Sequence, residues 1–381
     1  MGSRIHIRIV DAKGVDCLNS TVLDLPTQQM KLDDTVDLLP DFLLRLSNDS
    51  LNRKLNTRYD PSEHLFFQNI VESNGDDDFS ISLDASDFLS KPIFIEPSTE
   101  RYPVVAVDVS SIRIGETSEG MLCALRGAVV SAAPDRYYYS RCGPLAFHLT
   151  ESTISSVFQK LGFPSVISPS SPPLAIKVLG RLRNALERWI QRSICHSFTN
   201  SLILLDGSLT TGTPDNPSRP VEKMLENARK NGDAVLALSK STKLRIMGNE
   251  ITQLTKSISS ACLLEVDSAI RRQFPSYPVQ LLGRIFVAKL HRKGFSFRLD
   301  VDRELSPECT IESVRRLLGS DIVSQGYPET LRLAHILSTF TANEVIAIQR
   351  FLLQKFGIRA EPSPNLRRSL FGPYGSSWEA N

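Results

Sequence analysis

The chain is poor in cysteine, and its six residues (Cys17, Cys123, Cys142, Cys195, Cys262 and Cys309) are scattered with no C-x-x-C pair. That spacing excludes a zinc ribbon and gives no disulfide framework, so the thiols are expected to be reduced and buried as small hydrophobes. No apolar run approaches the ~20 residues of a membrane span. The N-terminus lacks the basic, then apolar, then small-residue pattern of a secretory signal, so a cytoplasmic protein with no membrane partner is expected. A G-x-x-x-x-G-K-[ST] phosphate loop is also missing, so any ATP-driven motor would have to be another chain. A strong excess of one sign of charge is absent too. Lys plus Arg number 44 against 42 Asp plus Glu, which argues against a surface wholly given to coating a polyanion.

What is present is the composition of a folded soluble protein, 41% hydrophobic and 23% charged over 381 residues. That length suits one large elaborated domain or two smaller ones. The near-neutral sum hides a division. Residues 1–100 hold 9 Lys/Arg and 18 Asp/Glu, which leaves 35 and 24 for residues 101–381. The acidic excess includes the run Asp76, Asp77, Asp78, which reads as solvated loop.

Residues 1–100 read as an acidic mixed region. Leu38, Leu39, Phe42, Leu43 and Leu46 have roughly helical spacing, interrupted by Pro40, and Phe79, Ile81 and Leu83 alternate as a strand does. From Tyr102 the pattern becomes regular. Val104 to Val109 is a β-branched run suited to a buried strand, and Leu122 to Ala132 and Tyr137 to His148 follow as an antiparallel meander. Ile176, Leu179, Leu182, Leu186, Ile190 and Ile194 then mark an amphipathic helix over Leu174 to Phe198. A strand into Asp206, a helix over Val221 to Lys230 and a strand from Ala234 to Leu238 complete the order β-β-β-α-β-α-β. Beyond it, Ile251 to Phe274 is expected to be helical. Leu281 to His291 and Phe295 to Val301 should form a hairpin turned at Lys293-Gly294. Ile311 to Phe356 should be a helical finish broken at Gly326-Tyr327-Pro328. Residues 357–381 read as a flexible or partner-docking tail containing Leu366, Phe371, Tyr374 and Trp378.

The element order is that of the ribonuclease H-like α/β fold, a mixed five-stranded sheet flanked by helices, here over residues 101–356 with N- and C-terminal elaborations. In that topology the first and fourth strands are neighbours, about 4.8 Å apart. Asp108 interrupts the first strand and Asp206 ends the fourth, so two carboxylates would face each other. Like charges that close raise each other's pKa unless a cation sits between them. Hard divalent ions, Mn²⁺ or Mg²⁺, suit oxygen ligands, and a pair of them would serve phosphodiester hydrolysis. A plain turn at Asp206-Gly207-Ser208 and a hydrogen-bonding Asp108 are the structural alternatives.

The segments Val104-Val-Ala-Val-Asp108-Val-Ser110, Leu204-Leu-Asp206-Gly-Ser-Leu209 and Leu238-Ser-Lys240-Ser241 resemble the motifs of the NurA nucleases. So do Val287-Ala-Lys289-Leu with Phe297-Arg298, and Gly326-Tyr327-Pro328 followed by Ala334-His335. The resemblance runs in family order from about Tyr102 to Thr339. It implies a dimeric, Mn²⁺-dependent DNA nuclease with 5′-to-3′ exonuclease and endonuclease activity on single- and double-stranded DNA. It also implies work with HerA, a hexameric DNA-translocating ATPase, in processing DNA ends. Another ribonuclease H-like nuclease of resolvase or transposase type, or a degenerate structural partner of the translocase, are the competing readings.

Carried over residue by residue, the resemblance makes Asp108, Asp206, Glu187 and His335 metal ligands. Glu187 also fits an ordinary solvated helix stripe with Arg183 and Gln191. Lys240 would hold the scissile phosphate, and Tyr327 would orient a phosphate or water, or simply pack a turn. Arg284, Lys289, Arg292 and Lys293 on the hairpin, with Arg271 and Arg272 before it, are candidates for sequence-independent phosphate contacts.

Overall fold

The computed structural model describes residues 27–29, 39–52, 81–83, 91–133, 136–154, 174–212, 216–246, 248–273 and 279–360. Three long strands, β1 (Val104–Thr117), β2 (Gly120–Ala132) and β3 (Tyr137–Thr150), form the expected antiparallel meander. They overrun the apolar runs that announce them because β1 and β2 stay paired out to Thr117 and Gly120. Helix α2 (Leu174–Ser197) crosses back to β4 (Leu202–Asp206), and α3 (Ser218–Lys230) to β5 (Ala234–Ser239). β4 lies parallel to β1, with Val107 opposite Leu205, and β5 lies parallel to β4. The order β3-β2-β1-β4-β5 is the ribonuclease H-like arrangement.

Strand β5 is then extended antiparallel by β8 (Ser296–Asp302), β7 (Gly283–Lys289) and β6 (Cys262–Glu265). Thr27–Gln29 closes the β3 edge and Ile93–Phe94 the β6 edge, giving a ten-stranded sheet among the described residues. The β7–β8 hairpin is the one expected.

Strand alternation sends successive side chains to opposite faces, and helices cover both. Val105, Val107, Ile203, Leu205 and Val235 pack under α2 and α3, where Val178, Leu182, Leu186, Ile190 and Ile194 recur every fourth residue. Val104, Ala106, Leu202, Leu204 and Leu236 face the other way, against α5 (Pro307–Ser320) and α6 (Glu329–Ser338). A sheet buried on both faces reads as continuous apolar runs, which is why β1 and β4 show no polar alternation before their aspartates. Helix α7 (Ala342–Phe356) follows α6 through a capping box formed by Thr341 and Glu344.

Described segments of the first hundred residues join this architecture. Helix α1 (Asp41–Asn52) begins just after Pro40, so that proline starts the helix instead of interrupting it, and Leu43 and Leu46 are buried against the meander. Ile81–Leu83 is a strand, pairing parallel with Leu244–Ile246. The segment 251–274, expected to be one helix, is broken up. A 3₁₀ turn (Ile251–Thr255) leads to β6 and then to α4 (Asp267–Gln273). Cys262-Leu263-Leu264 lies beside the open edge of β7 and satisfies its backbone there, an option that a short apolar run does not reveal from its periodicity. Asp76 to Asp78, Phe79, Phe274 and the tail residues Leu366, Phe371, Tyr374 and Trp378 lie outside the described residues. No helix among the described residues is long and apolar enough to cross a membrane.

Candidate metal centre

Register brings the two aspartates together. Val107 pairs with Leu205 across the parallel β1–β4 ladder, so Asp108 and Asp206 are the next residues of adjacent strands. β4 ends at Asp206. Gly207, at φ 117°, turns the chain away while its N–H donates to Leu238 O at 2.9 Å. From the other side, α6 lays His335 and Ser338 on Asp108. His335 Nδ1 is 3.1 Å from Asp108 Oδ2, and Ser338 Oγ donates to the same oxygen at 2.5 Å. Ser338 is fully buried and also meets Ser110 Oγ at 2.8 Å. One ligand-type atom each from Asp108, Asp206 and His335 lies within 4.8 Å of the others.

The two carboxyls differ in their surroundings. Burial pushes Asp108 up, but the bonds from His335 and Ser338 and the charge of Lys240 outweigh it and leave Asp108 below the usual carboxylate range. Asp206 stays above that range. Burial and the facing Asp108 raise it, and Lys240, whose Nζ donates to Asp206 Oδ2 at 2.6 Å, offsets only part of this. A divalent cation would relieve the residual repulsion, and a donor set of carboxylate oxygens plus one imidazole nitrogen fits Mn²⁺ or Mg²⁺. The residues present therefore fit such an ion.

Lys240 follows directly on β5 and sits 5.6 Å from the centroid of the Tyr327 ring. The Tyr327 hydroxyl reaches Asp206 Oδ1 at 3.5 Å, and burial, with Asp206 and Asp108 nearby, holds that phenol far above its ordinary pKa. Its ring is fixed edge-on by Phe297, centroids 5.3 Å apart. The turn that carries Tyr327 is seated by backbone on backbone. A Cβ on Gly294 would lie 2.5 Å from Gly326 N, and Gly326 itself has φ 90°. Only glycine meets both conditions.

Glu187 projects from α2 outside this cluster. It accepts from Gln191 Nε2 at 2.9 Å, and Gln191 Oε1 accepts from Arg188 at 2.7 Å. Burial, opposed by Arg188 and Arg183 and reinforced by Asp108 and Asp206, pushes its carboxyl up to about 7. A raised carboxyl favours the folded state when protonated, so this contribution is complete below the unfolded value and is lost as pH rises through 7. Its contribution to the melting temperature in EDTA is therefore expected to fall between about pH 5 and pH 7.5. Glu187→Gln should remove that part of the slope, and thermal melts of both proteins across the range check it.

The hairpin candidates separate. Arg292 and Lys293 are exposed at the β7–β8 turn, and Arg284 is half-buried. Lys289 points inward. It is only 6% exposed, and its ammonium donates to the carbonyls of Ile258 at 2.5 Å, Thr255 at 3.4 Å and Lys256 at 3.5 Å. Thr255 ends the 3₁₀ turn, and Lys256 and Ile258 follow it, so the Lys289 ammonium is engaged with the backbone of that segment and turned away from the surface. Arg271 is likewise engaged, with Asp267 at 2.7 Å and the carbonyls of Leu281 and Gly283.

Sequence reasoning gave no role to three residues that hold the centre in place. Ser338 is one. The others are Arg298 and Asp300 on β8, an ion pair at 2.7 Å with both side chains 1% exposed. Asp300 accepts from Leu209 N at 3.0 Å and Arg298 donates to Thr210 Oγ1 at 2.9 Å, which pins the loop leaving Asp206. Two opposite charges two residues apart within an apolar strand were the available signal.

No protein-family model and no curated protein matches the chain. Among solved structures, it is similar to the NurA nuclease from Sulfolobus solfataricus, at 18% identity over 72% of this chain and 89% of that one, TM-score 0.48. A second NurA structure gives 10% identity over 69% and 90%, TM-score 0.37. Endonuclease V from Bacillus subtilis gives 12% identity over 68% and 88%, TM-score 0.31. The fold assignment rests on the strand order described above.

Proposed function

We propose that this chain is a divalent-metal-dependent nuclease of the NurA type that hydrolyses phosphodiester bonds in DNA. The observation that carries the reading is the convergence of Asp108, Asp206 and His335 within 4.8 Å, just past the last pair of the parallel β1–β4 ladder and beside the Lys240 ammonium. Asp108, Asp206 and His335 would hold the ion, with Glu187 close enough to be sensed electrostatically by both aspartates. A bound Mn²⁺ or Mg²⁺ pair supplies Lewis-acid polarisation of a phosphoryl oxygen and acidifies water.

The protein's own groups complete the site. Lys240 is half-exposed on Asp206 and can turn its charge to a scissile phosphate, offsetting the negative charge that develops during attack. Tyr327 stays protonated and so remains a donor to a phosphate oxygen or to Asp206. Ser338 fixes the Asp108 carboxylate, and hydrogen bonds of this kind to metal ligands are typically worth 10–100-fold in affinity or activity. Ser338→Ala is accordingly expected to weaken Mn²⁺ binding by roughly 10–100-fold, read by titration calorimetry without DNA.

The full proposal follows the sequence resemblance: 5′-to-3′ exonuclease and endonuclease action on single and double strands, two ions, a homodimer, and partnership with a HerA-type hexameric ATPase. The lysines and arginines concentrated in residues 101–381 favour a polyanionic substrate, with affinity falling steeply as salt rises. The test is cleavage of end-labelled DNA by purified protein, with and without that ATPase. Cleavage should need Mn²⁺ or Mg²⁺ and stop in EDTA. Binding without metal-dependent cleavage would mark the chain as a structural partner of the translocase instead.

A further inference from the structure

We infer that Phe295, at the turn of the β7–β8 hairpin, is a base-stacking contact for single-stranded nucleic acid approaching the Asp108–Asp206 centre. The inference rests on the nuclease reading of that centre and names the strand form it engages. At 68% exposure, Phe295 is the most exposed of the large apolar side chains among the described residues. It is also held rigidly. Its N–H donates to Gln325 O at 2.8 Å, and Gly294 N to His291 O at 2.9 Å. Gly294 and Gly326 touch backbone to backbone beside it. An exposed ring on a fixed backbone is already oriented for contact, which lowers the ordering cost of binding.

Its position ties it to the centre. Phe297, two residues and ~7 Å further along the strand, packs on Tyr327, whose hydroxyl reaches Asp206. The occupant follows from charge. The stretch His291-Arg-Lys-Gly-Phe-Ser-Phe-Arg298 contains no carboxylate, and His291, Arg292 and Lys293 are all exposed. Cations that track a backbone, set beside an aromatic face that takes any base, are the two parts of a single-strand binding surface. Duplex bases are already stacked on one another, so the ring has purchase only on single strands and frayed ends.

The test is equilibrium binding of the full-length protein to a fluorescein-labelled single-stranded 12-mer and to a blunt duplex, in EDTA so that nothing is cleaved. Phe295→Ala should weaken single-strand binding by about 5- to 150-fold with little change for the duplex. Phe295→Trp should keep the affinity, and Phe295→Leu should be as weak as alanine. An alanine variant that binds single strands like the unmodified protein overturns the inference and leaves the nuclease reading intact. Recovery by leucine overturns it as well, because apolar area without an aromatic face would then suffice. A change in sedimentation mass on Phe295→Ala would assign the ring to contact with a second copy and overturn it too. If the unmodified protein binds neither DNA, the nuclease reading fails first and the inference with it.

Discussion

Asp206→Asn should cut metal-dependent cleavage by more than 100-fold and leave the melting temperature in EDTA nearly unchanged. Partners that merely orient metal ligands are worth 10–100-fold, so losing a proposed ligand should exceed that range. Stability should hardly move, because the Asp206 carboxylate is not well satisfied in the folded protein. Burial and the facing Asp108 hold its pKa above the ordinary range despite Lys240. The amide keeps an acceptor for Tyr327, and Lys240, 44% exposed, is rehydrated when it loses its partner. Asp108→Asn should differ. Asp108 is held below its ordinary pKa by His335 and Ser338, so its charge supports the fold above the unfolded pKa and that support is lost as pH falls. Asp108→Asn should therefore lose both cleavage and stability at neutral pH. Single-turnover cleavage and thermal melts, run side by side, read both effects. Asp206→Asn retaining activity within tenfold would remove that residue from the site.

Asp300→Ala should destabilise the protein by about 3–5 kcal/mol, the cost of leaving a buried charge without its partner. Arg298 and Asp300 are each 1% exposed and bonded through two contacts, 2.7 and 2.8 Å, so water cannot replace the missing carboxylate. Leu209 N would lose its acceptor as well. The combined change Arg298→Met with Asp300→Leu should recover much of the stability, since apolar replacement of a whole buried pair is often neutral. It should not recover cleavage, because Leu209 and Thr210 would no longer be anchored behind Asp206. Urea unfolding with cleavage assays on both variants separates the ion pair's role in stability from its role in aiming the loop. Full activity in the double variant would show that the loop needs no such anchor.

Much of this architecture is legible in one dimension because its signals are local. Val104 to Val109 is apolar and mostly β-branched except at Asp108, and a lone carboxylate in such a run marks a buried strand that carries a site. The fourfold recurrence of Leu182, Leu186, Ile190 and Ile194 identifies α2, and the β-β-β-α-β-α-β order places β1 beside β4. Both aspartates follow from those elements, whereas Lys240, Tyr327 and His335 are marked only by the motif resemblance. Local signals fail where a short apolar segment has two ways to satisfy its backbone. Cys262–Glu265 became a strand only because β7 offered an open edge.

Side-chain partners are set by the fold, since periodicity reports a residue's face and not what meets it there. Lys289 sits on a strand next to a turn rich in basic residues, and only the packing of the 3₁₀ segment turns its ammonium inward to three carbonyls. Ser338 reaches Asp108 across 230 residues of chain, and Arg298 reaches Thr210 across 88. The sequence by itself determined the order of the five central strands and the two aspartates, because backbone period and strand adjacency are written locally. The hydrogen bonds that hold those aspartates in place were decided by tertiary structure alone, because they join groups that only the finished fold brings within hydrogen-bonding distance of each other.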